Sequence, residues 1–119
     1  MDYKSFNGPL LKEQFEGDEE ILVEMIKNFQ NSCPNLLKSL RSSVEEKDAD
    51  KLSLSAHTFK GVFSNFFAEE AVKLAYELEM CGRKGQLENS QSLLERLERE
   101  LALLLDEILL LKKSLNVLS

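Results

Sequence analysis

Apolar positions recur every three to four residues along most of the chain, in five stretches separated by turn signals. That period is the one a helix with a buried face requires. The first stretch is short. Asn7-Gly8-Pro9 reads as a turn with Pro9 suited to a first helical turn. LLKEQF then supplies about two turns, with Leu10, Leu11 and Phe15 apolar, before Gly17 stops it. The second opens at Asp18, a good N-cap, with Glu19 and Glu20 at the positive helix end. Ile21, Leu22, Met25, Ile26 and Phe29 follow at helical spacing, and Leu36, Leu37, Leu40 and Val44 resume it beyond Pro34. One long helix is expected there, kinked or briefly broken at Pro34 and ending near Lys47. The third runs from about Asp48 to Phe66 or Phe67, the fourth from about Glu69 to Arg83, with Gly82 and Gly85 bracketing its end. The fifth, from about Leu87 to Leu115, places Leu94, Leu97, Leu101, Leu104, Ile108, Leu111 and Leu115 in alternating steps of three and four. That is the seam of a helix bundle.

Four substantial helices joined by short connections predict an all-α fold: an antiparallel up-down four-helix bundle with a short extra N-terminal helix, in a single domain over residues 1–119. The fifth helix would reach about 40 Å, longer than its neighbours. Leu103, Leu105 and Leu110 lie off its seam. They would pack on the first helix in a monomer, or meet another chain in a dimer formed through this C-terminal helix.

Composition supports this reading. Of 119 residues, 43% are hydrophobic and 30% charged, and Gly (5) and Pro (2) are scarce. The formal net charge of −6, with no basic stripe, argues against nucleic-acid and anionic-membrane partners, which need concentrated Lys and Arg. MDYKSFNG has no apolar core of a signal peptide, and there is no run of 18 apolar residues. A cytoplasmic protein is expected, with Cys33 and Cys81 as reduced thiols.

The single histidine lies in AHTFKGVFSNFF, residues 56–67. On a helical wheel Leu52, Ala56, Phe59, Phe63 and Phe66 share one face, which must be the buried one. His57 points the opposite way, among Ser53, Lys60, Gly61 and Ser64, with Leu54 and Phe67 flanking it. Glycine inside a helix costs about 1 kcal/mol relative to alanine. At i+4 from His57 it removes bulk beside the ring, so another protein's backbone can come close. Lysine at i+3 puts an ammonium where an anion bound to the ring would sit. An exposed imidazole, a nearby cation and an open approach suit a nucleophile that accepts a dianion, phosphate above all.

The stretch AHTFKGVFSNFFA resembles the signature of histidine-containing phosphotransfer (HPt) domains at Ala56, His57, Lys60, Gly61 and Asn65. FEGDEEILVEMIKNF is similar to that family's opening helix, and Leu78-Glu79, Arg83 and Gly85 stand where the family often has them. Val62 and Phe63 replace residues that are usually small in that family, and Phe67 a residue that is commonly glycine. The resemblance covers roughly residues 8 to 112. It implies that His57 takes a phosphoryl group from a receiver-domain aspartate and passes it to another, with Lys60 offsetting charge and Gly61 and Ser64 permitting approach. It implies docking through Leu54 and Phe67, and a local hydrogen-bonding or helix-positioning role for Asn65. Partners would be receiver domains of response regulators or hybrid sensor kinases. The chain would be a carrier and not an enzyme: it has no glycine-rich nucleotide loop for ATP binding or self-phosphorylation, no cofactor and no metal site. The divalent ion would belong to the receiver's acidic pocket. The competing readings are a helical interaction module without phosphotransfer, and the phosphoacceptor domain of a larger hybrid or chemotaxis-type histidine kinase.

Overall fold

The computed structural model describes residues 2–115. Five helices and no strand lie among them: α1 (Gly8–Gln14), α2 (Glu19–Glu45), α3 (Ala49–Asn65), α4 (Glu69–Lys84) and α5 (Ser90–Leu115). The four long helices pack in a closed ring, α2 on α3, α3 on α4, α4 on α5 and α5 back on α2. Connections of residues 46–48, 66–68 and 85–89 are too short to cross the bundle, so neighbours run antiparallel.

The sequence sets most helix ends. The Asn7 side chain accepts a hydrogen bond from the N–H of Leu10, and Asp48 accepts one from the N–H of Lys51, so α1 and α3 are capped. Asp18 occupies the N-cap position of α2 without a side-chain cap bond. Gly85 ends α4 in the left-handed conformation, φ +67°. α2 is one long helix, as expected, and runs through Pro34 without a break. Pro34 is exposed, while Phe29, Cys33 and Leu40 on the inner face are buried. The lost hydrogen bond thus falls on the solvent side, and packing on the other side holds the helix together. With 27 residues α2 is one longer than α5, which has 26, so α5 is not the outlier in length that its pattern predicts.

Most of the predicted core is buried, though Leu10 and Ile21 of the helical pattern are exposed. Leu52, Ala56, Phe59, Phe63 and Phe66 of the α3 segment are buried, with Phe59 and Phe63 stacked at 5.2 Å between ring centroids and Phe66 against Phe29 at 5.1 Å. The α5 seam from Leu94 to Leu111 is buried too, while Leu109 and Leu110 face outward. Leu115 is only partly buried. Cys33 is buried, Cys81 half-buried, and both are free. No helix is long and apolar enough to cross a membrane among the described residues.

The N-terminal segment is tied to the ring at two points, on α5 and at the α3–α4 turn. The backbone N–H groups of Lys4 and Ser5 and the Ser5 hydroxyl all donate to the carboxylate of Glu107 on α5, at 2.6 to 3.0 Å. The Asn7 N–H donates to the carbonyl of Phe67 at the α3–α4 turn.

Candidate functional site

α3 carries the site because its two faces have different tasks. The phenylalanine face fixes the helix in the core. The opposite face is left to solvent, where the His57 side chain is 59% exposed. The ring is not free on both edges. Its Nδ1 lies 3.0 Å from Oε2 of Glu79, a residue of α4 that is 1% exposed. A carboxylate only accepts, so Nδ1 carries the hydrogen and donates it. The lone pair of the neutral ring is thereby assigned to Nε2, on the edge away from α4.

Glu79 is the centre of the arrangement. Lys60 Nζ sits 2.7 Å from its Oε1, and Arg83 Nη2 sits 2.7 Å from its Oε2. Burial by itself would raise the Glu79 carboxyl. The hydrogen bonds from Lys60 and His57 and the charges of Lys60 and Arg83 outweigh that, and hold it below its ordinary value. The carboxylate is therefore ionised beside the ring. Glu79 lies on the inner stripe of α4 with Ala71, Leu74, Ala75, Leu78 and Gly82. A carboxylate on such a stripe must be paired, and that was the signal in the sequence for a functional partner of His57. No role was assigned to it there.

Two glycines beside the site have opposite causes. A Cβ on Gly61 would meet nothing within 4 Å, so nothing in the chain's own packing requires glycine there. A Cβ on Gly82 would lie 2.6 Å from the Ala49 carbonyl oxygen and 2.6 Å from the Ser53 nitrogen. Gly82 is therefore inside the last turn of α4 as a contact point with α3, and with Gly85 it brackets the helix end as the sequence pattern predicts. That contact brings Glu79, one turn earlier, up against His57.

The remaining predicted residues divide around the ring. Leu54, 69% exposed, stands one turn before the histidine on the open side, and Gly61 and Ser64 are exposed beyond it. Lys60 is 28% exposed and leans towards α4, with its ammonium also 5.4 Å from the centre of the Tyr76 ring. Asn65 is exposed and lines a groove between α2 and α3 with Asn28, Ser32 and Val62. It makes no side-chain hydrogen bond among the described residues, so the local bonding role expected for it is not observed. Phe67 is half-buried at the end of the helix with φ +56°.

The arrangement is thus an exposed imidazole on a four-helix bundle, with its inner nitrogen tied to a buried acid, and comparison with known proteins places the chain among helical bundles of this kind. The family model of the Hpt domain matches residues 24–108, and the chain belongs to that family. The solved structure of histidine-containing phosphotransfer protein B (HptB) from Pseudomonas aeruginosa PAO1 superposes with a TM-score of 0.87 at 26% identity, over 95% of this chain and 98% of that one. Phosphorelay intermediate protein rdeA of Dictyostelium discoideum is 27% identical over 97 residues, or 82% of this chain. The chain spans 38% of the length of that relative.

Proposed function

We propose that the chain carries a phosphoryl group on His57 between receiver-domain aspartates in a phosphorelay. The observation that supports this most directly is the split environment of the ring: Nδ1–H held by a buried carboxylate, and the opposite edge in solvent. In the transfer the Nε2 lone pair attacks phosphorus in line, the N–P bond forms as the acyl O–P bond breaks, and the receiver's carboxylate leaves. The Nδ1 proton stays where it is. The ring gains positive charge as the N–P bond forms, and ionised Glu79 faces that charge at 3.0 Å. The reverse transfer to a second aspartate releases the neutral ring. A fixed tautomer and a counter-charge for the developing imidazolium are what an acid behind a histidine supplies.

Lys60 balances charge on the outer side in this reading. Before transfer its ammonium is on Glu79; a dianion arriving at Nε2 offers it a second partner one helical turn from His57. Leu54, Gly61, Ser64, Asn65 and Phe67 make up the surface that the receiver covers. The relatives' names, a phosphotransfer protein and a phosphorelay intermediate, fit this role. The divalent ion for the aspartate chemistry is assigned to the receiver, and the chain acts as a carrier and not as a turnover enzyme.

The test is His57→Gln, incubated with a receiver domain bearing a radiolabelled aspartyl phosphate. Acid-labile label should disappear from the variant while its helical circular dichroism is retained. Label that persists in His57→Gln refutes the assignment.

A further inference from the structure

Phe67 adopts a backbone conformation that disfavours it. It follows the last residues of α3 at φ +56°, with the Ala68 N–H reaching back to the Phe63 carbonyl and the Phe67 N–H to that of Ser64. This is the helix-ending position that glycine fills without strain. A side chain there is strained against its own backbone. The strain is held by the Asn7 N–H bond to the Phe67 carbonyl, and the ring has a use. With Ala68, Val72 and Tyr76 it forms the apolar lining of an open groove of about 430 Å³ between the end of α3 and the start of α4, whose polar lining is Ser64, Glu69 and Lys73.

The groove is continuous with the phosphoacceptor site. Tyr76, 49% exposed, is shared between them, since the Lys60 ammonium that pairs with Glu79 stands over its ring. Ser64 lies seven residues beyond His57, about 10 Å along the helix. A partner that buries about 800 Å² of this chain around His57 covers a disc of about 16 Å radius, and the groove falls within it. Lys73 and Glu69 border the apolar floor, and Lys60, paired with Glu79, stands over Tyr76 on the side towards His57, where a partner's anionic acyl phosphate would arrive alongside its apolar side chain.

We propose that this groove is a docking socket for a receiver domain, holding one of its apolar side chains while its aspartyl phosphate meets His57. This rests on the phosphocarrier reading above. The socket and Leu54 grip the partner on either side of the histidine along α3, which fixes the angle of approach. A buried apolar anchor of this kind carries a large share of the binding energy of an interface.

The experiment titrates a receiver domain loaded with labelled aspartyl phosphate against wild type, Val72→Asp and Phe67→Gly, with phosphoramidate, a small donor that needs no docking, as a second arm. Val72→Asp should raise the half-saturating receiver concentration about tenfold with the rate at saturation retained. Phe67→Gly, which relieves the backbone strain, should raise it in the same direction. Unchanged half-saturation in either folded variant overturns the socket and leaves the carrier reading standing. A wild-type chain labelled by phosphoramidate but by no receiver overturns the socket too; one labelled by neither overturns the carrier reading itself. Self-association in sedimentation that Val72→Asp abolishes would assign the groove to a second copy of the chain and overturn the proposal.

Discussion

Gly61 stands in the middle of α3 with open space around it, and that makes it a residue whose cost has no return inside the molecule. An alanine there would fit, and would stabilise the chain by about 0.5–1 kcal/mol through helix propensity and a less flexible unfolded state. Gly61→Ala is therefore expected to raise the urea midpoint while slowing transfer from a phosphorylated receiver several-fold. A variant that is more stable and transfers at the wild-type rate would mean that Gly61 serves no partner. His57, Lys60 and Gly61 were legible in the sequence because their spacing places them together on one helix. Glu79 was harder to assign, because it is 22 residues away from His57 and meets it only once α4 is packed on α3. The direction in which Lys60 leans has the same origin: the wheel places it near His57, and only the acid on α4 draws its ammonium inward.

Among elements, the α3–α4 pair is what the site depends on, and Gly82 sets how closely the two approach. Gly82→Ala would push a methyl group to within 2.6 Å of backbone atoms on α3. Backbone cannot swing aside as a flexible side chain can, so the helices must separate. Overpacking of this kind costs about 1–3 kcal/mol, against about 1 kcal/mol recovered from helix propensity. The variant should be less stable, and Glu79, one turn before Gly82, should lose its hold on His57. Long-range nitrogen–proton NMR of the imidazole would report this directly: a single Nδ1–H tautomer in wild type, a mixture in Gly82→Ala. Wild-type stability and tautomer together would refute the close-contact role. The helices themselves were readable to within a few residues, because apolar spacing is the requirement that packing imposes. Two residues at this scale take part of their meaning from a neighbour. α2 is the one long helix its pattern predicts, and around Pro34 the buried Phe29, Cys33 and Leu40 line its inner face. Gly82 marks the last turn of α4 in the pattern, but its close contact with α3 exists only once the two helices are packed.

At the scale of the whole molecule, two carboxylates join parts of the chain that are far apart in sequence, and both are held below their ordinary value. Glu79 joins α3 to α4. Glu107 joins α5 to the N-terminal segment, and there burial, which raises the carboxyl, is outweighed by the hydrogen bonds from Ser5 and from the backbone of Lys4 and Ser5. A carboxyl lowered on folding gives stability that is fully present above its unfolded value, near 4.5, and is lost as pH falls through the lower folded value. In that range the unfolded chain binds more protons than the folded one, so stability falls on acidification. Glu100 acts in the opposite sense. Burial first, then the charges of Glu70 and Glu107, raise it, so its contribution is present at low pH and lost as pH rises through its raised value. The two effects fall in different ranges, Glu100 adding stability as pH falls towards about 4.5 and the tied pair losing it below that, so urea midpoints measured from pH 7 downward should not fall until about pH 4.5 and should then drop. Glu107→Gln separates the contributions. It removes the titrating group from the N-terminal tie but leaves Glu79 in place, so it should lower stability at pH 7 and make the acid slope shallower without abolishing it. The slope that remains in Glu107→Gln belongs to the same carboxylate that orients His57. Acid should therefore break the Glu79 carboxylate's hold on the His57 ring in the same range in which it loosens α4 from α3, and an acid slope as steep in Glu107→Gln as in wild type would show that the N-terminal tie contributes nothing to it.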